Sequence, residues 1–140
     1  MEIEYMDTRQ SFSGYNRTIN KTLAGFDLPS LIEKMKVSQK WKDGELNTQV
    51  LYNSQGIQIV LTALHEGTEV NSFQTSDSVT FQIVEGKIRF RTRKESVFLN
   101  KGQALTLDEN IKYSLTTREE TVLLLTLVKG TPEHSGILIP

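Results

Sequence analysis

The stretch that decides the fold is VTFQIVEGKIRFRT, residues 79–92. In its first half Val79, Phe81 and Ile83 alternate with polar residues, which is the two-residue period of a strand with one buried face. Gly86 then supplies the backbone freedom of a tight turn, and the alternation resumes after it. The pattern predicts a β-hairpin whose apolar side chains face a common core.

Short apolar runs separated by turn residues continue on both sides of this stretch. The predicted strands cover residues 48–52, 57–64, 68–75, 96–99, 104–107, 112–116 and 120–128. The run at 57–64, IQIVLTAL, is almost continuously apolar, as expected of a strand buried on both faces. Many short strands with turn signals every 8–12 residues or so predict an all-β sandwich or barrel.

One amphipathic helix is predicted before the strands, over residues 28–40. Asp27 is the expected N-cap, and a capping box that begins at Ser30 is the alternative start. Its apolar stripe consists of Leu28, Leu31, Ile32 and Met35. Trp41 follows at the junction of helix and sheet, where packing is its expected role and ligand contact is the alternative.

The 140 residues suit a single domain. We expect an N-terminal arm at 1–26, a barrel with its leading helix at 27–128 and a C-terminal tail at 129–140. A net charge of -1 offers no long-range attraction to nucleic acid, and the absence of cysteine excludes thiolate sites. Neither a signal peptide nor an apolar run long enough for a membrane span is evident, so we expect a cytoplasmic protein.

The glycine spacing within residues 57–127 resembles that of the cupin superfamily, whose fold is a double-stranded β-helix of jelly-roll type. Gly67 and Gly86 match the ends of the first cupin motif. Gly102 opens the second motif, and the segment LDEN at 107–110 stands where its turn belongs. The resemblance implies an all-β, cupin-like jelly-roll barrel with one short N-terminal helix, and it implies a homodimer.

This sequence departs from the family chiefly at the positions of the metal ligands. Cupins hold a metal with two histidines and a glutamate of the first motif and a histidine of the second. The corresponding positions here are Phe73, Thr75, Val79 and Tyr113. A first-row metal requires several nitrogen, oxygen or sulfur donors, so we expect no metal and no other cofactor.

Inside the implied barrel, alternation predicts an apolar lining with one or two hydroxyl groups. The predicted pocket residues are Phe73, Thr75, Val79, Phe81, Ile83, Tyr113 and Leu115. Such a lining suits a small-molecule pocket, and it suits equally a core filled by its own side chains. The leading functional hypothesis is therefore a metal-free, non-enzymatic module that binds a small ligand or a partner.

Two alternatives remain open, an enzyme and a remnant metal site. In the first, Tyr113 and His65 serve as acid and base of a metal-independent isomerase or epimerase, which requires both side chains at one cavity. In the second, His65, Glu66 or Gln74 form a remnant metal site.

A row of cations is the only notable charge cluster. Lys87, Arg89, Arg91 and Arg93 alternate with apolar residues and are expected on the outer face of one strand. The simpler interpretation is a solvated face balanced by Glu85 and Glu95, and the functional one is a strip that binds an anion or an acidic partner.

Overall fold

The computed structural model describes residues 18–20, 23–44, 46–71, 78–108 and 111–129. The helices are α1 (Leu28–Lys36) and α2 (Gln39–Asp43). The strands are β1 (Thr18–Asn20), β2 (Leu23–Ala24), β3 (Leu46–Asn53), β4 (Ile57–Leu64), β5 (Glu69–Asn71), β6 (Ser78–Glu85), β7 (Lys87–Arg91), β8 (Ser96–Asn100), β9 (Ala104–Leu107), β10 (Ser114–Thr117) and β11 (Thr121–Val128). The all-β prediction is confirmed, and most of the predicted N-terminal arm and C-terminal tail lies outside the described residues.

Two antiparallel sheets form the barrel. The five-stranded sheet has the order β3-β4-β11-β6-β9, and the four-stranded sheet has the order β5-β10-β7-β8. β1 and β2 pair with each other in a separate two-stranded sheet. Among the described helices none is long and apolar enough to cross a membrane.

The predicted hairpin at 79–92 is wrong in its pairing. β6 pairs with β11 and β9, whereas β7 pairs with β10 and β8, so the chain crosses from one sheet to the other at Gly86. The alternation itself is confirmed, because Phe81, Ile83 and Ile88 are buried between the sheets. Alternation specifies which side chains face inward, and it carries no information about which strand lies alongside.

Gly86 occupies the sharpest point of this crossing. Its φ is +97°, a conformation that residues with a Cβ rarely adopt. A Cβ at this position would collide with the hydroxyl oxygen of Thr121 and would lie 2.5 Å from the carbonyl oxygen of Glu120. The crossing therefore packs directly against the turn that leads into β11.

Thr121 holds the two sides of this contact together. Its side chain is fully buried, its hydroxyl donates to the Glu119 carbonyl at 2.8 Å, and it accepts from the Lys87 amide at 3.2 Å. A buried hydroxyl that both donates and accepts incurs no desolvation penalty from an unmade hydrogen bond.

The helical segment differs from the prediction, since the single helix at 28–40 is two helices, α1 and α2. The Asp27 cap is present, because its carboxylate accepts a hydrogen bond from the Ser30 amide at 3.2 Å. Ser38 ends the first helix and starts the second: its hydroxyl donates to the Met35 carbonyl at 2.8 Å and accepts from the Trp41 amide at 3.2 Å. Ser38 is therefore the N-cap of α2. The spacing of apolar residues does not reveal such a cap within a segment predicted to be one helix.

The five-stranded sheet buries both of its faces in two separate clusters. One cluster lies against the helices and contains Leu31, Ile32, Met35, Trp41, Leu51, Leu61, Ala63 and Val122. The other lies between the sheets and contains Leu64, Phe81, Ile83, Ile88, Phe90, Leu99, Leu115 and Leu123. β4 contributes to both clusters, which confirms the prediction that it is buried on both faces.

An ion-pair bridge ties α1 to the sheet crossing. The Lys36 ammonium lies 3.1 Å from a Glu85 oxygen and 2.7 Å from a Glu120 oxygen. Burial by itself would lower the pKa of Lys36, but the hydrogen bonds and charges of the two carboxylates outweigh it and raise the pKa from its ordinary 10.5. Since both carboxylates are about half exposed, this bridge orients the helix more than it stabilises the fold.

The crossing yields a test of the fold. Gly86→Ala is expected to lower the free energy of unfolding by about 2–4 kcal/mol, because it adds a steric collision to backbone strain. The measurement is urea denaturation monitored by circular dichroism.

Gly67→Ala is the matched control, since Gly67 has φ +82° with no atom within 4 Å of the added Cβ. Strain alone is expected to cost about 1 kcal/mol there. Equal losses in the two variants would show that contact with the Thr121 turn does not constrain the crossing.

Candidate functional site

Three aromatic rings cluster at one end of the space between the sheets. Tyr113 stacks on Phe90 with ring centroids 5.1 Å apart and planes inclined by 17°. Phe81 meets both rings edge-on, at 5.2 Å from Tyr113 and 5.1 Å from Phe90. Phe81 and Phe90 are almost completely buried, while Tyr113 reaches partly toward solvent. The cluster therefore forms an apolar floor with a phenol at its edge.

Burial changes the chemistry of this phenol. It disfavours the phenolate and raises the pKa of Tyr113 from its ordinary 10.0. At neutral pH the hydroxyl is thus protonated, and none of the described residues forms a hydrogen bond with it. It remains available as a donor or acceptor to a bound molecule.

A cleft of about 520 Å³ opens beside Tyr113. The described residues that line it are Asn71, Arg91, Thr92, Arg93, Lys112, Tyr113 and Ser114. Strand register explains why they meet: Ser114 lies opposite Asn71 on one side and Arg91 on the other, so three strands present their ends together. Three cationic side chains and no carboxylate contribute to this described lining, so the cleft favours an anion.

The predicted cationic strip is divided between two places. Arg91 and Arg93 line the cleft, whereas Lys87 and Arg89 lie farther along β7, beside β8. Glu85, the expected counter-charge, is on the other sheet and pairs with Lys36 instead. The expectation that Glu85 balances the strip is therefore wrong.

His65 belongs to a different part of the molecule. Its ring stacks on Trp41 with centroids 3.5 Å apart, and its Nε2 lies 2.8 Å from the Trp41 carbonyl oxygen. A carbonyl only accepts, so Nε2 carries the proton and donates. Trp41 is itself 6% exposed, which confirms its role in packing.

The cleft that His65 lines shares no described residue with the cleft beside Tyr113. It has a volume of about 360 Å³ and is lined by Gly44, His65, Glu66, Gly67, Thr68 and Glu69. The Thr117 hydroxyl donates to the His65 carbonyl at 2.7 Å, and Thr117 is four residues from Tyr113, or roughly 13 Å along an extended chain. The structure does not bring the proposed acid and base together.

The predicted inner lining is a packed cluster in its described part. Val79, Phe81, Ile83, Tyr113 and Leu115 all belong to or pack against the core between the sheets. Tyr113 is the member that reaches the cleft. Phe73, Thr75 and Gln74 lie outside the described residues, and so does His134, the second histidine of the chain.

Solved structures with the same arrangement of sheets decide the fold. The cupin domain of Cnp3 from Schizosaccharomyces pombe superposes with a TM-score of 0.64 at 19% identity, over 80% of this chain and 78% of that one. A conserved protein of unknown function from Streptococcus pyogenes gives 0.61 at 18% identity, over 84% and 96%. A cupin superfamily protein from Desulfitobacterium hafniense gives 0.59 at 14% identity, over 62% and 80%.

The chain has a cupin fold. No protein-family profile matches its sequence, and no curated protein matches it. Gly67, Gly86 and Gly102, on which the resemblance to cupins rests, all have positive φ, so each supports a turn that the cupin frame requires.

Among the described residues, the resemblance to cupins pairs the metal-ligand positions with Val79 and Tyr113. Val79 offers an isopropyl group, and Tyr113 offers a neutral phenol that stacks on Phe90. Within the described part of the chain no three His, Cys, Asp or Glu side chains come together as metal ligands would. The described donors therefore do not fit a cupin metal.

The buried phenol predicts a pH dependence of stability. A pKa raised in the folded state means that the folded protein holds its proton more tightly, so this contribution is complete below pH 10 and is lost as pH rises through the raised pKa. Tyr113→Phe is expected to flatten the decline of the free energy of unfolding as pH rises above 10. Urea denaturation across this range measures it.

Tyr52→Phe, which removes a phenol from β3, is the control. If Tyr113→Phe declined as steeply as the wild type, burial of this phenol would not govern its ionisation.

Proposed function

We propose that this protein is a cupin-fold binding module that holds a small anionic molecule in the cleft beside Tyr113, without a metal of the cupin kind. The observation that carries the proposal is the convergence of Arg91, Arg93 and Lys112 on a cleft whose described lining has no carboxylate. The Tyr113 hydroxyl and the exposed rim of the aromatic cluster complete the site.

The chemistry of the lining suits a carboxylate or phosphate attached to a small organic group. Guanidinium groups bind planar oxyanions through paired hydrogen bonds, and Lys112 adds charge without a fixed geometry. The Tyr113 ring provides an apolar surface next to these charges, so a ligand with an anionic end and a flat or apolar body matches both parts.

Binding fits the geometry better than acid–base catalysis. The raised pKa of Tyr113 makes it a weaker acid, and His65 lines another cleft. Acid–base catalysis requires both groups within hydrogen-bonding reach of one substrate. The pair of Tyr113 and His65 therefore does not enter the proposal.

Ligand binding can be tested with inorganic phosphate, malonate and benzoate by isothermal titration calorimetry at low salt. At least one of these anions is expected to bind, and Arg91→Gln is expected to weaken it about 10- to 100-fold, because a hydrogen bond to a charged group contributes about 1.5–3 kcal/mol. Tyr113→Phe is expected to weaken it less.

Lys94→Gln is the matched control, since Lys94 is exposed in the same loop and does not line the cleft. Equal binding by wild type and Arg91→Gln would place the anion elsewhere.

Elemental analysis of protein purified without chelator tests the metal-free part of the proposal. A stoichiometric transition metal would contradict it.

We also infer that two copies of the chain associate through β3. β3 is an edge of the five-stranded sheet, and its apolar side chains Leu46 and Val50 are 37% and 48% exposed. They share a face with Leu64 and Val60, opposite them on β4. An edge strand with exposed apolar side chains is stabilised when a second copy covers it.

Light scattering coupled to size exclusion tests this association. The wild type is expected to have twice the mass of one chain, and Val50→Asp is expected to have the mass of one chain, because it would bury an unpaired charge. Val37→Asp, at an exposed position after α1, is the control and should remain dimeric. A monomeric wild type would overturn the inference.

A further inference from the structure

A second cationic surface lies on the outer face of the four-stranded sheet, apart from the cleft. It consists of Lys87 and Arg89 on β7, Arg118 after β10, and Phe98 on β8, and we call it the Phe98 face. We propose that the Phe98 face docks an acidic segment of a partner protein, with an apolar or aromatic side chain of that segment on Phe98. This inference goes beyond ligand binding in the cleft and does not depend on it.

The geometry places an exposed ring between cations. The Phe98 side chain is 52% exposed. The Lys87 ammonium lies 5.8 Å from its ring centroid, and the Arg118 guanidinium carbon lies 5.5 Å from it. Arg89 is directly opposite Phe98 in the strand register. The ring is thus the centre of the face, and the cations form its rim.

Backbone hydrogen bonds fix this arrangement. The Arg118 amide donates to the Lys87 carbonyl at 2.8 Å, which continues the pairing of β10 with β7. Arg89 donates from Nε to the Ser96 hydroxyl at 3.2 Å. Strand pairing therefore positions Lys87 and Arg89, and a backbone hydrogen bond to β7 positions Arg118 beside them.

The charges of the face are not neutralised within the described part of the protein. No described carboxylate forms an ion pair with Lys87, Arg89 or Arg118, and Glu85 and Glu120 are bound by Lys36 instead. The strand register also places Glu69 on this face, but on the far edge strand β5, separated from β7 by β10. Like charges on neighbouring strands repel each other, and an anionic partner relieves this repulsion.

Protein is favoured over single-stranded nucleic acid as the occupant. Surfaces that bind a strand without sequence preference stack successive bases on several aromatic rings, and this face presents one ring, Phe98, among its described residues. A short acidic segment with one apolar anchor matches a single exposed ring with a charged rim.

A second copy of this chain is not a suitable occupant either. Contacts between identical copies about a twofold axis bring a surface against itself. Here that would place Lys87, Arg89 and Arg118 of one copy against the same cations of the other, which is electrostatically unfavourable.

The test uses a fluorescein-labelled peptide of ten residues, nine glutamates or aspartates with one central tryptophan. Fluorescence anisotropy gives the affinity, and amide NMR shifts locate the contact. Binding is expected to perturb β7, β8 and β10, and replacing the tryptophan by alanine is expected to weaken it at least tenfold. Phe98→Ala and Arg118→Glu are each expected to weaken it by at least tenfold as well.

Lys40→Glu is the matched control, since it changes the net charge by the same amount at an exposed position on α2. This variant is expected to keep the affinity of the wild type. Equal affinity for the peptide without tryptophan, or no perturbation of β7 and β8, would overturn the proposal.

Two further outcomes would reassign the face. Tighter binding of a ten-nucleotide thymidine strand, weakened by Phe98→Ala, would make it a nucleic-acid surface and contradict the proposal. If Arg118→Glu had a different assembly mass from the wild type but the same peptide affinity, the face would be a contact between copies. That result would also contradict the proposal.

Discussion

The packing of Gly86 against Thr121 is the contact on which the remainder of the barrel depends. At this point the chain leaves the five-stranded sheet and enters the four-stranded one, within a single residue between β6 and β7. The crossing requires a left-handed backbone and a space that a Cβ would fill. Because Thr121 bonds both Glu119 and Lys87, the crossing and the start of β11 are positioned together. The two sheets can then face each other across one core.

The surfaces follow from this crossing. β7 is placed in the four-stranded sheet, where its inward residues meet the aromatic cluster and its outward residues face solvent. Its last cation, Arg91, lies next to Ser114 and the Tyr113 cleft, while Lys87 and Arg89 surround Phe98. One strand thus supplies charge to two separate surfaces. Their chemistry differs because one has a phenol beside an open cleft and the other has an exposed ring.

In this cupin fold, Val79 and Tyr113 belong to the packing between the sheets. Val79 contributes to packing between the sheets, and Tyr113 contributes a ring to the aromatic cluster. Side chains that stack and pack in this way stabilise the fold. The charge beside Tyr113 comes from Arg91, Arg93 and Lys112, which line the cleft. The interior of the barrel is therefore packed, and the cations lie at its rim and on its outer face.

Local patterns in the sequence determined the inward residues of β6 and β7, the bounds of β4 and β9, the cap at Asp27 and the glycine turns. These depend on alternation, capping and backbone freedom, which are properties of neighbouring residues. Tertiary structure alone decided that β6 and β7 belong to different sheets and that Glu85 forms its ion pair with Lys36. It also decided that His65 stacks on Trp41, far from Tyr113. These features depend on partners that are distant along the chain, and no local period encodes which distant segment a strand or charge will meet.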